Sequence, residues 1–493
     1  MPILSRALFF MLLVGVSMPS LGKTPENGMP KRLSDAAAAA DRGDCDTALR
    51  LIAAELKHDT GLSDGLRSAV FETGADCAFK SNKPDLAYHY ALAATKLDRS
   101  SDWMWRYRLG LEIEADTGAA VSTVEAMANG RGAALNGVPI RWLFSLDRKL
   151  VDKHDSAARL RLMSVLTSTG YQPEQVVPVV DVFRQNQAEL LFEAGDKDGA
   201  ARVVAQIENP TILMEVSVDQ RLRNMLPASF DSRAAVQVHL NKMRDIAQYH
   251  PDSLGLVVEI AASQRRLGDA AGALATLRAA DPTGPNAKPY ADMDDQINWW
   301  WDGVGRSQVA LGHYAEAVAA FQSGIGVQEN GGLNVSQTIN LAAAQVRFGH
   351  ASDALVTLAP LDNPAAPMSP YGQMEMRLAR GWAAIQNGKA ADADADIAYA
   401  KAHDGDHPQA LTDLLLCAGD LDGAAAALTA RLDDPDRRVQ ALFELSDYAA
   451  SAATLPEGPV NSQLRAVKAR ADVQAAIARA GGIRHFDVQA GEL

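Results

Sequence analysis

One phrase recurs along this 493-residue chain and restricts its fold more than any other feature. An apolar helical stretch leads to a Gly and one or two polar residues. A second helix follows, whose early Ala precedes a large apolar side chain by four residues in most copies. The copies read RGDCDTALRLI at 42–52, SNKPDLAYHYA at 81–91, AGDKDGAARVV at 194–204, LGDAAGALATL at 267–277, LGHYAEAVAAF at 311–321, FGHASDALVTL at 348–358, NGKAADADADI at 387–397 and AGDLDGAAAAL at 418–428. Gly43, Gly195, Gly268, Gly312, Gly349, Gly388 and Gly419 supply the turn, and Asn82 stands in once. A backbone that doubles back so sharply passes through positive φ, which Gly adopts most easily and Asn tolerates. Five residues after each turn stands Ala48, Ala87, Ala200, Ala273, Ala317, Ala354, Ala393 or Ala424. A side chain this small lets the two helices of a hairpin approach closely, whereas a larger one holds them apart.

Alternating β-branched runs are missing, and Ala, Leu and Arg recur at helical spacing throughout, so the predicted fold class is all-α. The copy from Trp301 to Ile325 resembles the tetratricopeptide repeat most fully, with Trp301, Val304 and Gly305 on the first helix, Gly312 and Tyr314 at the turn, and Ala317 and Phe321 on the second. Gly381 with Gly388 and Ala393 is another such unit, and Tyr249-His250-Pro251 supplies one closing Pro. Successive turn glycines from Gly268 onward are 44, 37, 39 and 31 residues apart, against about 34 in the ideal repeat, so the repeats are degenerate and carry insertions.

The resemblance implies an α-solenoid of tandem helix-turn-helix repeats in which the first helix of each repeat lines a concave groove that holds partner segments. The groove positions it implies are Arg265 and Arg266, then Trp299, Asp302 and Arg306, then Ile339 and Arg347, then Leu378 and Trp382. Trp301, at the repeat's aromatic position, is expected in the core. Arg and Trp are enriched at binding hot spots, and a partner bearing carboxylates would suit these arginines. The Lys and Asn set with which some family members clamp C-terminal carboxylates is missing. The resemblance thus implies a protein or peptide partner, with no cofactor.

It also makes neighbours of Cys45 and Cys77, because the second helix of one repeat runs antiparallel to the first helix of the next. An oxidising compartment would then allow a disulfide closing a loop of about 30 residues, stabilising by about 3–4 kcal/mol in the chain-entropy model. The alternative is two independent buried thiols. Cys417 reads as a buried, inert thiol.

The organisation read from the sequence is a signal peptide over 1–22, a linker over 23–30, an N-terminal helical array over 31–208, a joint over 209–250, a C-terminal array over 251–455, and a capping helix with its tail over 456–493. In the leader, Arg6 precedes the apolar run Ala7–Met18, and Ser20-Leu21-Gly22 suggests cleavage before Lys23. About 12 apolar residues span ~18 Å as a helix, short of the ~30 Å hydrocarbon core, which favours a cleaved leader over an anchor. The first cysteine is Cys45, too far on for lipid attachment at the cleavage point. Export is therefore expected, to the periplasm if the source is Gram-negative. Residues 101–180 fit the phrase poorly: Gly110 and Gly118 hint at a decayed repeat, and Pro139 opens a helix. Asn209-Pro210 and Leu226-Pro227 punctuate the joint, and the cap is expected as one helix, Ser462 to Ala480, ended by Gly481-Gly482.

A net charge of -14 argues against a nucleic-acid surface. No GxSxG, HExxH, Walker-type or GxGxxG motif is placed to work, and the C-terminal region contains no lysozyme-like segment. No catalytic residue is assigned. His403-Asp404-Gly405-Asp406-His407 has the residue types of a metal site but reads as a solvated loop between repeats. The leading expectation is a non-enzymatic scaffold. The second is an accessory protein of a cell-wall or polysaccharide-processing enzyme system.

Overall fold

The computed structural model describes residues 30–57, 61–174, 177, 179–284, 287–328, 332–363, 368–450 and 459–490. The expected leader, its cleavage point and nearly all of the linker lie outside the described residues. The repeated phrase folds as the turn chemistry requires. Gly43, Gly195, Gly268, Gly312, Gly349, Gly388 and Gly419 all have positive φ, and Asn82 joins them at +56°. The eight alanines that follow the turns are fully buried. In four copies the Asp after the turn caps the second helix: Asp44, Asp196, Asp269 and Asp420 accept from main-chain N–H groups of Thr47, Gly199, Gly272 and Gly423 at 3.2, 2.8, 2.8 and 2.8 Å.

The chain divides into two compact units, Met1–Glu174 and Gln175–Leu493. The first contains the hairpins α1 (Lys31–Asp41) with α2 (Cys45–Leu56), α3 (Asp64–Lys80) with α4 (Pro84–Ala94), and α5 (Asp102–Ala115) with α6 (Thr117–Gly130). After the short α7 (Gly132–Asn136), α8 (Ile140–Asp152) pairs with α9 (Ser156–Leu166). The poorly matching stretch makes its turns by other means. Asp116 separates α5 from α6 and accepts from the N–H groups of Gly118 and Ala119 at 3.0 and 3.1 Å. Gly110 is no turn: it lies within α5, where an added Cβ would stand 3.1 Å from the Trp142 ring. His154 closes the last hairpin at φ +55°.

The second unit runs through α10 (Val180–Glu193), α11 (Lys197–Val204), α12 (Pro210–Val218), α13 (Ser232–Tyr249), α14 (Leu254–Arg266), α15 (Ala270–Ala279), α16 (Met293–Ala310), α17 (Tyr314–Ile325), α18 (Val335–Arg347), α19 (Ala351–Leu358), α20 (Pro370–Gln386), α21 (Asp394–Ala402), α22 (Pro408–Cys417), α23 (Leu421–Asp433) and α24 (Arg438–Leu445). The first helices α14, α16, α18, α20 and α22 pack each on the next. The joint expected over 209–250 is part of this unit, which begins instead after Glu174.

Its C-terminal end differs from the single capping helix read in the sequence. Two helices, α25 (Pro459–Lys468) and α26 (Ala471–Ala480), are followed by a strand, β2 (His485–Gln489), that pairs in parallel with β1 (Asp447–Ala449). Val467, Val473, Ile477 and Phe486 enter one apolar core with Leu414, Leu428 and Leu442 and, from the other end of the unit, Met214, Val218 and Val236. Helix α12 packs on α24, and β2 lies on α13 and α14. The array of hairpins is therefore closed on itself: α12 and α13, near its start, cover the apolar face of its last members. Among the described residues no helix is long and apolar enough to cross a membrane.

Candidate functional site: an open stripe on the second unit

Counting back from each turn glycine aligns equivalent positions of successive first helices. Six residues before the turn stand Ala262, Arg306, Ala343, Trp382 and Asp413. Each keeps partial solvent contact while both of its sequence neighbours are buried. On a helix this means that one narrow stripe stays open while the flanks pack against adjoining helices. Arg266 and Arg347, two residues before their turns, extend the open surface.

The implied groove residues distribute unevenly over this surface. Arg306 donates from Nε to Asp302 Oδ2 at 2.6 Å, and Asn340 donates from Nδ2 to Asp302 Oδ1 at 2.7 Å. Asp302 is itself buried, so it anchors Arg306 and ties α16 to α18. Arg266 bonds to the Thr211 hydroxyl and lies beside Glu215, whose carboxyl is pushed up by burial against the opposing pull of Gln185 and Arg266. Burial lowers the Arg347 pKa, and this guanidinium has no hydrogen-bond or ion-pair partner among the described residues. Trp382 is half-buried, and its indole Nε1 has no hydrogen-bond acceptor. Trp299 is 46% exposed.

Arg265 does not lie on the open stripe. It is buried, and its Nη1 reaches the Gly303 carbonyl at 3.4 Å, inside the contact between α14 and α16. Ile339 is also core. Of the three tryptophans at 299–301, Trp300 is the deepest, donating to the Leu277 carbonyl at 3.0 Å. Trp301 is only half-buried and packs edge-on against it.

Ala262, Ala343 and Asp413 are the members of the row that sequence reasoning missed; for Asp413, its place six residues before Gly419 was the signal that could have found it. Burial raises its carboxyl to about 7, with Glu444 and Glu375 adding to the effect and Arg431 and His407 opposing it. Protein surrounds the group closely, yet its side chain still touches solvent. Beside it, Arg431 donates to Glu444 at 2.6 Å, and His407 Nε2 lies 2.6 Å from Glu375 Oε1. The Tyr371 ring packs on His407 with centroids 4.5 Å apart. The Tyr371 hydroxyl is pushed up to about 12 by its surroundings and by Glu375.

The 403–407 loop is thus only partly solvated. His403 stacks on Tyr399 at the surface and Asp404 pairs with Arg437, but His407 is buried against Glu375. Among the described residues no group of three or more His, Cys, Asp or Glu side chains is disposed to hold a metal ion. In the first unit, Cys45 opens α2 and Cys77 lies near the end of α3; both thiols are buried and free, and Cys45 is a hydrogen-bond partner of Cys77. Burial, then that bond, pushes the Cys77 thiol well above its ordinary range. Cys417 is a buried free thiol, also pushed up by burial.

No protein-family model matches the chain, and no curated protein sequence matches it. Solved structures to which it is similar include the apo form of the quorum sensor NprR from B. thuringiensis, at 13% identity over 84% of this chain and 97% of that one, with a TM-score of 0.32. Ypp1 is similar at 10% identity over 92% of this chain and 84% of that one, with a TM-score of 0.29. The TPR domain of P58(IPK) is similar at 12% identity over 79% of this chain and 98% of that one, with a TM-score of 0.20. The architecture itself is read from this chain's own hairpins: an all-α array of tetratricopeptide-like repeats.

Proposed function

We propose that this chain is an exported binding protein that holds a segment of a partner protein or peptide against the concave face of its second unit, without turnover. The observation that carries this reading is the row Ala262, Arg306, Ala343, Trp382 and Asp413, open to solvent between buried neighbours on five successive first helices. A stripe repeated across several helices offers an extended line of contacts, which suits a chain-like ligand better than a compact small molecule. Small residues at Ala262 and Ala343 leave room between the larger side chains for a backbone to lie. Arg347, desolvated and unpaired, gains most from a carboxylate, and the free indole N–H of Trp382 gains from a carbonyl acceptor. The export component rests on the leader-like residues 1–22 alone.

The test is capture from an envelope fraction by the full chain, followed by mass spectrometry, with Arg347→Glu in parallel. One defined protein is expected from the native chain, with recovery reduced about tenfold in the variant at unchanged thermal stability. Equal recovery by both removes the groove assignment. Retention on sacculi instead of one protein would favour an accessory role in cell-wall processing.

A further inference from the structure

We infer that a cavity between the first half of α20 and the turn after α19 is a binding site for a small organic carboxylate with an apolar tail, separate from the open stripe and independent of the partner-binding reading.

The cavity measures about 310 Å³, at the lower end of the ~300–1,000 Å³ usual for small-molecule sites. It lies between the 3-10 turn Ala359–Asp362 and α20. Leu361, Met368 and Met376 supply apolar lining, and Gln373, Arg377 and Arg380 supply polar lining. At about 100° per residue, Arg377 stands about 140° around α20 from Trp382, so the cavity is not part of the stripe.

The polar lining is fixed from behind by α21. Asp396, 1% exposed, accepts from Arg377 Nη1 at 2.9 Å and from Arg380 Nε and Nη2 at 3.0 and 2.5 Å. Tyr399, one turn on, lies under the Arg377 guanidinium, with Cζ 3.7 Å from the ring centroid, and its hydroxyl donates to Gln373 Oε1 at 3.2 Å. One buried carboxylate thus serves two guanidinium groups. Arg380 Nη1 turns to Asp362, which also borders the cavity but whose side chain is 57% exposed, where solvent screens its charge.

The polar groups left over are donors. Arg377 Nη2 and Gln373 Nε2 have no hydrogen-bond partner and are not among the polar atoms shut away from solvent, so both are open to a ligand. Arg377 Nε, deeper, also lacks an acceptor. A guanidinium held flat on an aromatic ring with a free donor is organised in advance for a carboxylate, which adds a charge-assisted bond. A bare inorganic anion would leave the two methionines and Leu361 uncovered, and a purely apolar ligand would leave the donors unmet, so the ligand that fits has both parts. Methionine side chains adapt to varied tails.

The experiment is titration of the full chain, labelled with ¹³C in its methionine methyl groups, with hexanoate and with hexanamide, followed by NMR. Hexanoate is expected to shift the Met368 and Met376 resonances, and hexanamide to bind at least about tenfold more weakly. Arg377→Gln should weaken hexanoate about tenfold at unchanged melting temperature, because Asp396 retains both bonds from Arg380. If that variant does not fold, Gln373→Leu serves in its place and should weaken hexanoate at least about threefold. No response of these methionines to hexanoate, an equal response to hexanamide, or binding undiminished in the folded variant would overturn this inference and leave the partner-binding reading intact.

Discussion

Arg484 donates from Nε to the main-chain carbonyl of Ser217 at 3.0 Å, a bond between residues 267 positions apart. It does not act alone. Arg223 donates to the Gly481 carbonyl at 2.5 Å, and the Asp487 N–H donates to Ser232 Oγ at 3.1 Å. Together these bonds pin the segment after α26 to α12, α13 and the turn between them, near the start of the second unit. A stacked repeat array has an apolar face at each end, which an open array must cover with polar caps. Here each end covers the other.

Closure makes the C-terminal strand structural. Phe486→Ala, in a side chain only 2% exposed, should destabilise the second unit by about 3–5 kcal/mol. Urea unfolding measures the loss. Amide exchange provides the sharper check, since the variant should also lose protection in α12, more than two hundred residues earlier (on the order of 270). Protection of α12 unchanged in Phe486→Ala would mean that the ends are not coupled.

Close approach within a hairpin predicts a reversal of helix propensity at Gly305. Replacing a mid-helix Gly by Ala ordinarily stabilises by about 1 kcal/mol. A Cβ on Gly305, however, would stand 2.7 Å from the fully buried Phe321 ring. Overpacking of that kind costs about 1–3 kcal/mol, so Gly305→Ala should be net destabilising. A higher melting temperature in this variant would show that the pair packs more loosely.

The adjacent thiols of the first unit should bridge under oxidation. Mild oxidant is expected to remove two of the three alkylatable thiols, leaving Cys417, and to stabilise the first unit by about 3 kcal/mol. Burial and the Cys45 contact keep Cys77 protonated, so the reaction should be slow at neutral pH and faster in alkali. Three thiols still alkylated after oxidation and unfolding would exclude the bridge.

Asp413 should make stability depend on pH in a stated direction. Its folded carboxyl is raised from 3.8 to about 7, so its contribution is fully present below the unfolded value and is lost as pH rises through about 7. Between about pH 5.5 and 8.5 the native chain should lose about 2 kcal/mol that Asp413→Asn retains. Parallel melting curves for the two proteins across this range would refute the assignment.

Much of the hairpin architecture was legible because each hairpin is a local event. Gly268 at φ +85°, Asn82 at +56° and Ala354 at zero exposure were readable from a dozen adjacent letters (about the length of one phrase). His154 was not, since nothing nearby marks it as a turn that takes the place of a glycine. The same holds for the site. Arg306, Arg347 and Trp382 emerged from repeat position, whereas Arg265, one residue from Arg266, is core, because a step of about 100° around a helix carries a side chain from the open stripe into the contact between helices. Asp413 took its unusual chemistry from groups on three other helices and a loop, which no spacing rule anticipates.

What the amino-acid order determined by itself was where the chain turns and how closely each helix pair can pack, since backbone φ at a glycine and the reach of a methyl group depend on neighbours in sequence. What only the tertiary structure decided was that the second array closes, that a strand finishes it, and that the Asp413 carboxyl is buried among other carboxylates. Those outcomes depend on burial and Coulomb terms among residues far apart in the chain, and such terms have no value until the fold has brought the groups together.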